Sequence, residues 1–141
     1  MFIGGKYMSK LIINGGKKLK GEIKISGAKN SAVALIPAAL LCDDTVKLTN
    51  VPNISDVDAL EEILLFLDAK IDRNKNNEVT IYSSEINNRP IKEDLAKKLR
   101  ASYYFMGALL GKYKHVEMSF PGGCSIGKRP IDLHLKGFKA L

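Results

Sequence analysis

An α/β fold is the class this sequence predicts, and three patterns predict it. Short apolar-alternating runs, at Thr45 to Asn50 and Glu78 to Tyr82, stand between longer stretches with apolar residues at helical spacing. Clusters of Gly, Pro and Asn mark the boundaries. The order helix, strand, loop, helix also occurs twice. Ala39-Leu40-Leu41, a strand, Val51-Pro52, Asp56-Val57-Asp58 and a helix make one series. Ala108-Leu109-Leu110, a strand, Phe120-Pro121, Pro130-Ile131-Asp132 and a helix repeat it about seventy residues later. The first copy continues into a strand hairpin and the second stops at Leu141, so the series is expected to be truncated.

Composition narrows the partners. With 141 residues, 45% hydrophobic and 26% charged, the chain suffices for one globular domain or part of something larger. Twenty-two Lys and Arg against fifteen Asp and Glu leave +7, which favours anionic partners. The cations are scattered without aromatic interleaving, so nucleic acid is not expected. No stretch approaches the roughly 20 apolar residues of a membrane span, and no membrane association is expected. Cys42 and Cys124 show no metal-ligand spacing, and the two histidines stand far apart. No metal and no cofactor is expected, and reduced thiols point to the cytoplasm.

In chain order, residues 1–7 are expected to be a loose extension, with Met8 as a second start. Residues 8–28 are expected to hold two short strands, Lys10 to Ile13 and Glu22 to Ile25, joined through Asn14-Gly15-Gly16. Residues 29–141 form the α/β domain proper. Ser26 to Ser31 leads into the apolar run Ala32 to Leu41, a buried helix in which Pro37 implies a kink or a later start. The Ser26–Ser31 stretch either caps that helix or offers its N-terminus to a phosphate or carboxylate. Cys42 reads as core filler. Ser55 to Asp58 has a capping-box pattern, and Val57, Leu60, Leu64 and Leu67 make one buried face. Ala69 to Asp72 and Glu78 to Tyr82 form a hairpin around a polar tip. A continuous helix is expected from about Asp94 to Gly111, with Leu95, Leu99, Tyr103, Met106 and Leu110 on its buried face. Arg100 either sits on the surface of that helix or turns inward to await an anion. His115 to Phe120 reads as a strand, and a last helix places Ile131, Leu135 and Phe138 on one side.

Phe120 to Pro130 is the densest chemistry in the chain: three glycines, two prolines, a thiol and two cations. Glycines let backbone N–H groups turn toward an anion, while Lys128 and Arg129 supply counter-charge. Positive neighbours favour the thiolate of Cys124. Gly122 to Lys128 fits a nucleotide-binding P-loop until the next residue, where Arg129 replaces the Ser or Thr that holds magnesium.

Ser26-Gly27-Ala28-Lys29-Asn30, Asn50-Val51-Pro52, Asp56-Val57-Asp58, Leu99-Arg100-Ala101-Ser102 and Pro121 to His134 together resemble the UDP-N-acetylglucosamine 1-carboxyvinyltransferase family of enolpyruvyltransferases. The resemblance runs from Lys10 to Leu141 and corresponds to the N-terminal portion of such enzymes. It implies an inside-out α/β barrel built from repeated units. It also implies that residues 8–28 pair with a second domain and that the chain associates with a C-terminal portion. The implied reaction moves enolpyruvyl from phosphoenolpyruvate to the 3-hydroxyl of UDP-N-acetylglucosamine and releases phosphate, the first committed step of peptidoglycan synthesis. In that scheme Cys124 is the proton donor and the target of fosfomycin. Lys29 grips phosphoenolpyruvate with Asn30 beside it, and Arg100 and Arg129 hold phosphate or developing charge. Pro130, Ile131, Asp132 and Leu133 contact the uridine nucleotide. The alternatives are the related enzyme acting on shikimate 3-phosphate, whose family lacks the Pro-Gly-Gly-Cys loop, and a non-catalytic basic binding module.

Overall fold

The computed structural model of this chain describes residues 12–122 and 130–140. The expected extension over residues 1–7 lies outside them. The first helix, α1 (Lys29–Ala38), begins at Lys29 and carries Pro37 one residue before its end. Proline has no N–H to return to the preceding turn, and the chain tightens at once into a 3-10 turn, Ala39–Leu41. No later start is seen. Cys42 follows in extended backbone and is exposed, contrary to its reading as core. Its carbonyl is the structural part, accepting bonds from Ser83 Oγ at 2.8 Å and Lys112 Nζ at 2.9 Å.

Strand β1 (Thr45–Leu48), helix α2 (Ser55–Phe66) and strands β2 (Lys70–Arg73) and β3 (Val79–Tyr82) complete the first series. The sheet has the order β1-β3-β2 and both pairings are antiparallel. Register sets Val46, Ile81 and Ile71 side by side, so their row faces the core while Thr45, Lys47, Lys70 and Asp72 face water. The hairpin tip is built by Asn74, whose Oδ1 accepts the N–H groups of Asn76 and Glu78, while Asn77 takes a positive φ of 58°.

In α2 the expected face is found: Val57, Leu60, Leu64 and Leu67 are fully buried, joined by Ile63. Each such side chain contributes about 1.5–3 kcal/mol of burial. The capping box is not. Ile54 is the N-cap and offers no side-chain bond, while Asp58 is drawn instead to Arg73. At its C-terminus α2 closes with Asp68 at φ 66°, the Asp68 N–H donating to Leu65 O and the Ala69 N–H to Leu64 O. These two bonds satisfy carbonyls that a helix end leaves open.

The long helix expected from Asp94 to Gly111 is broken. Helix α3 (Glu93–Ala96) ends early, Leu99 is extended at φ −141° and ψ 132°, and a 3-10 turn, Arg100–Tyr103, leads into α4 (Tyr104–Tyr113). The break shifts the buried face to Ala96, Ser102, Phe105, Ala108 and Leu109. Leu95, Leu99, Tyr103, Met106 and Leu110 are only half-buried. The strand expected over His115 to Phe120 reduces to one parallel bridge, Ile91 with Met118. Helix α5 (Asp132–Ala140) follows, with Ile131 buried and Leu135 and Phe138 half-buried.

No strand forms over residues 12–28, where Ile12, Ile13, Leu19, Ile23 and Ile25 are exposed. A strand needs a ladder partner, and the described residues supply none there. The core lies between α1, α2, α4 and the inner face of the sheet, with α1 packed against both α2 and α4.

Arg73, at the end of β2, ties this core to the start of α2. Its guanidinium donates to Asp58 Oδ1 at 2.7 Å and to Asn53 Oδ1 at 3.0 Å, with longer bonds to Glu61 Oε2 and Pro52 O. Burial pushes the Glu61 carboxyl above its ordinary 4.5, Arg73 pulls it back in part and Asp58 adds to the rise. A carboxyl raised in the fold resists losing its proton there, so stability falls as pH climbs from about 4.5 through the folded value. Glu61→Gln removes that ionisation. The melting temperature of E61Q relative to the parent is expected to climb as the pH rises from about 4.5 toward neutrality. A difference that stays flat across that range would refute the assignment of burial as the cause.

Candidate functional site

A cavity of about 1360 Å³ opens where α1, α2, the Arg100–Tyr103 turn and the start of α5 meet. Lys29 and Asn30 reach it from the first turn of α1. That turn has Ala28 as its N-cap and no side-chain cap, so the capping reading of Ser26 to Ser31 does not hold. Asp56 comes from the first turn of α2 and pairs with Lys29, Nζ to Oδ2, at 2.5 Å. Arg100 enters from the 3-10 turn, and Pro130, Ile131 and Asp132 from the start of α5. Six of the nine expected site residues thus converge from three separate stretches of chain. Leu133 stands apart, 75% exposed and outside the cavity lining. Cys124 and Arg129 lie outside the described residues.

Two glycines set the close approaches on which this convergence depends. A Cβ at Gly27 would fall 1.6 Å from the Asn50 carbonyl oxygen, and one at Gly122 would fall 1.9 Å from that of Lys97. Both positions therefore press backbone against backbone. The Gly122 N–H donates to Ala96 O at 3.1 Å, and Ser102 Oγ donates to the same oxygen at 2.9 Å. This shared acceptor is why the helix breaks at Leu99. The Ala96 carbonyl serves the buried serine and the incoming glycine instead of the next helical turn. It fastens the start of the thiol loop to the turn that carries Arg100.

Sequence reasoning missed part of the lining. Lys97, Lys98, Tyr103, Tyr104 and Phe120 all face the cavity. Among the described lining residues Lys29, Lys97, Lys98 and Arg100 outnumber Asp56 and Asp132. Lys97 is paired with Glu93 and Lys98 with Glu62. The charged groups that line the cavity are thus mostly cationic, with Glu93 and Glu62 behind two of them, and an anionic ligand can engage the lysine ammonium groups from the cavity side. The adjacency of Lys97 and Lys98 to Arg100 was the available signal. Tyr103 and Tyr104 stack at 4.5 Å between ring centroids, and His134 lies tilted 5.3 Å from Tyr103. A hydrogen bond with Tyr104, then burial, raises the Tyr103 pKa above its usual 10.0 and keeps the phenol protonated.

Comparison with known proteins places this geometry in a class. The family described as EPSP synthase (3-phosphoshikimate 1-carboxyvinyltransferase) matches residues 13–141, and the chain belongs to that family. Within it, the chain is 50% identical over 134 residues to UDP-N-acetylglucosamine 1-carboxyvinyltransferase 2 of Oceanobacillus iheyensis, covering 95% of this chain and 31% of that protein. It is 52% identical over 135 residues to the enzyme of the same name from Lactococcus lactis subsp. lactis, covering 95% of this chain and 32% of that protein. The crystal structure of the enolpyruvyl transferase NikO from Streptomyces tendae superposes with a TM-score of 0.60 at 28% identity, covering 68% of this chain and 22% of that one. The chain spans about a third of the length of the curated relatives it matches. Among the described residues, no helix is long and apolar enough to cross a membrane.

Ser102 offers a direct check of the loop anchor. Ser102→Ala leaves Ala96 O with the glycine donor alone, and a net hydrogen bond of about 1 kcal/mol is lost. The melting temperature is expected to drop by about 4 °C. An unchanged melting temperature would show that the serine bond does not hold the turn.

Proposed function

We propose that this chain supplies part of the site that transfers enolpyruvyl from phosphoenolpyruvate to the 3-hydroxyl of UDP-N-acetylglucosamine. The observation that carries this reading is the meeting of Lys29, Asn30, Arg100 and Pro130 to Asp132 in one cation-rich cavity. Half-identity to UDP-N-acetylglucosamine 1-carboxyvinyltransferases supports the choice of sugar nucleotide. In the reaction, carbon 3 of phosphoenolpyruvate gains a proton while carbon 2 accepts the sugar oxygen. The sugar hydroxyl gives its proton to a base, and loss of phosphate and of a carbon-3 proton then restores the double bond, now as an enol ether of the sugar.

Each residue has a role that its chemistry suits. Cys124 donates the proton, its thiol tuned by neighbouring cations. Lys29 grips the carboxylate or phosphate of phosphoenolpyruvate with Asn30 alongside. Arg100 and Arg129 hold the phosphate through charge-assisted bonds that persist as charge develops. Pro130 to Leu133 receive the uridine nucleotide through backbone and side-chain contacts. The setting is cytoplasmic, at the entry to peptidoglycan synthesis. The repeated unit is part of an inside-out barrel, and residues 8–28 pair with a second domain. Turnover requires the remainder of such an enzyme, since these 141 residues span about a third of the relatives.

Fosfomycin separates this reading from a shikimate-type enzyme and from a plain binding module. Incubation with the epoxide is expected to add one molecule at Cys124 and to spare Cys42, which is exposed and serves as an internal control. Peptide mass spectrometry reads both. Equal labelling of the two thiols, or none at Cys124, would overturn the assignment.

Turnover gives an independent arm. The 141-residue chain with both substrates is expected to release no phosphate above the blank, and measurable release would refute the need for the remaining portion. Lys29→Ala is expected to weaken phosphoenolpyruvate binding about tenfold or more by calorimetry, the loss typical of a bond to a charged group.

A further inference from the structure

We propose that Arg73, which does not line the cavity, is a positioning residue for it: Arg73 holds the first turn of α2 so that Asp56 can set Lys29. The inference rests on the proposed function only where Lys29 is taken to grip the anionic substrate.

Asp56 is the counter-ion of Lys29, and its own side chain is only 20% exposed. What keeps Asp56 in place is therefore what keeps Lys29 in place. No side chain caps α2, because Ile54 at the N-cap has no group with which to do so. The cap is replaced by a guanidinium delivered from the sheet. One arm of Arg73 reaches Asp58 and Glu61 inside the helix, and the other reaches Asn53 and the Pro52 carbonyl before it. These contacts fall on both sides of Ile54, the residue at which the chain turns into α2. The same hairpin gives a second tie, the Val51 N–H donating to Asn77 O at 2.8 Å.

A planar fork suits this task, since its donors are fixed relative to one another. Without it Asp58 and Glu61, three residues apart on one helix face, repel each other, and Glu61 already has a buried Oε1 with no partner among the described residues. The turn that bears Asp56 would have to rearrange. The relay thus runs from β2 through the first turn of α2 to the ammonium group in the cavity.

The test compares R73M, R73K, D56N and the R73M/D56N double variant with the parent 141-residue chain. Lysines are acetylated at limiting reagent and read by peptide mass spectrometry, with exposed Lys17 as internal reference. In R73M the labelling of Lys29 is expected to rise roughly threefold relative to Lys17, the size of effect a half-exposed ion pair supports. D56N should match it, and the double variant should equal D56N alone, the non-additivity of residues acting through one another. Lys47 and Lys98, paired with Glu78 and Glu62, should not change, whereas general loosening of the fold would raise them too.

Unchanged Lys29 labelling in R73M, an additive double variant, or a parallel rise at Lys47 and Lys98 overturns the proposal. If R73M does not fold, R73K carries the test. A single ammonium cannot fork, so unchanged Lys29 labelling in R73K has the same force. Calorimetric titration of the same proteins with phosphoenolpyruvate tests the functional reading separately. Weaker binding in R73M alongside the labelling change supports both. Absence of binding by the parent chain, with the labelling change intact, overturns the role of Lys29 in gripping that anion and leaves the relay standing.

Discussion

One carbonyl, that of Ala96, decides the arrangement of the cavity. Two donors from different parts of the chain converge on it, the hydroxyl of buried Ser102 and the N–H of Gly122. Buried backbone groups must be paired, and here the pairing is non-local. A helix that kept Ala96 O for its own ladder would run on through Leu99 and carry Arg100 along its surface. Because the oxygen is taken, the chain extends at Leu99, re-enters as a tight turn, and delivers Arg100 to the cavity. Gly122 is fastened in the same stroke.

Charge is distributed around that frame in two tiers. The three lysines at the cavity wall are each matched to a carboxylate that sits on a helix: Lys29 to Asp56, Lys97 to Glu93, Lys98 to Glu62. Two other carboxylates on α2, Asp58 and Glu61, are balanced from behind by Arg73. The half-exposed pairs contribute little to stability individually. Their effect is to orient long, flexible lysine side chains that would otherwise sample many rotamers, which lowers the ordering cost when an anion arrives.

Elements set by local pattern were legible in the sequence. Val57, Leu60, Leu64 and Leu67 repeat at helical spacing with no competing polar group, and the Asn-rich tip between β2 and β3 carries its own turn chemistry. Elements that depend on a distant partner were not. The helix break at Leu99 turns on Gly122, and the run His115 to Phe120 is as strand-like as Val79 to Tyr82 but, among the described residues, forms a β-bridge with Ile91 alone. Cys42 read as core filler, yet it leaves the 3-10 turn in extended backbone and is exposed. Of the cavity lining, Lys29, Asn30, Arg100 and Pro130 to Asp132 were named through shared motifs, since periodicity alone left Arg100 and the Lys29 turn ambiguous. Lys97, Lys98 and the tyrosine pair were missed because on a continuous helix they would read as ordinary surface and core.

The glycine contacts at Gly27 and Gly122 make this architecture selective about what can perturb it. Raising the ionic strength screens Lys29 and its neighbours but leaves a carbonyl pressed against an α-carbon untouched. The tolerance is inverted for bulk. One added methyl group at either position meets a main-chain oxygen well inside contact distance, and no rotamer change can relieve it. The cavity is therefore robust to salt and brittle to volume, its outline written in main-chain atoms and only its charge written in side chains.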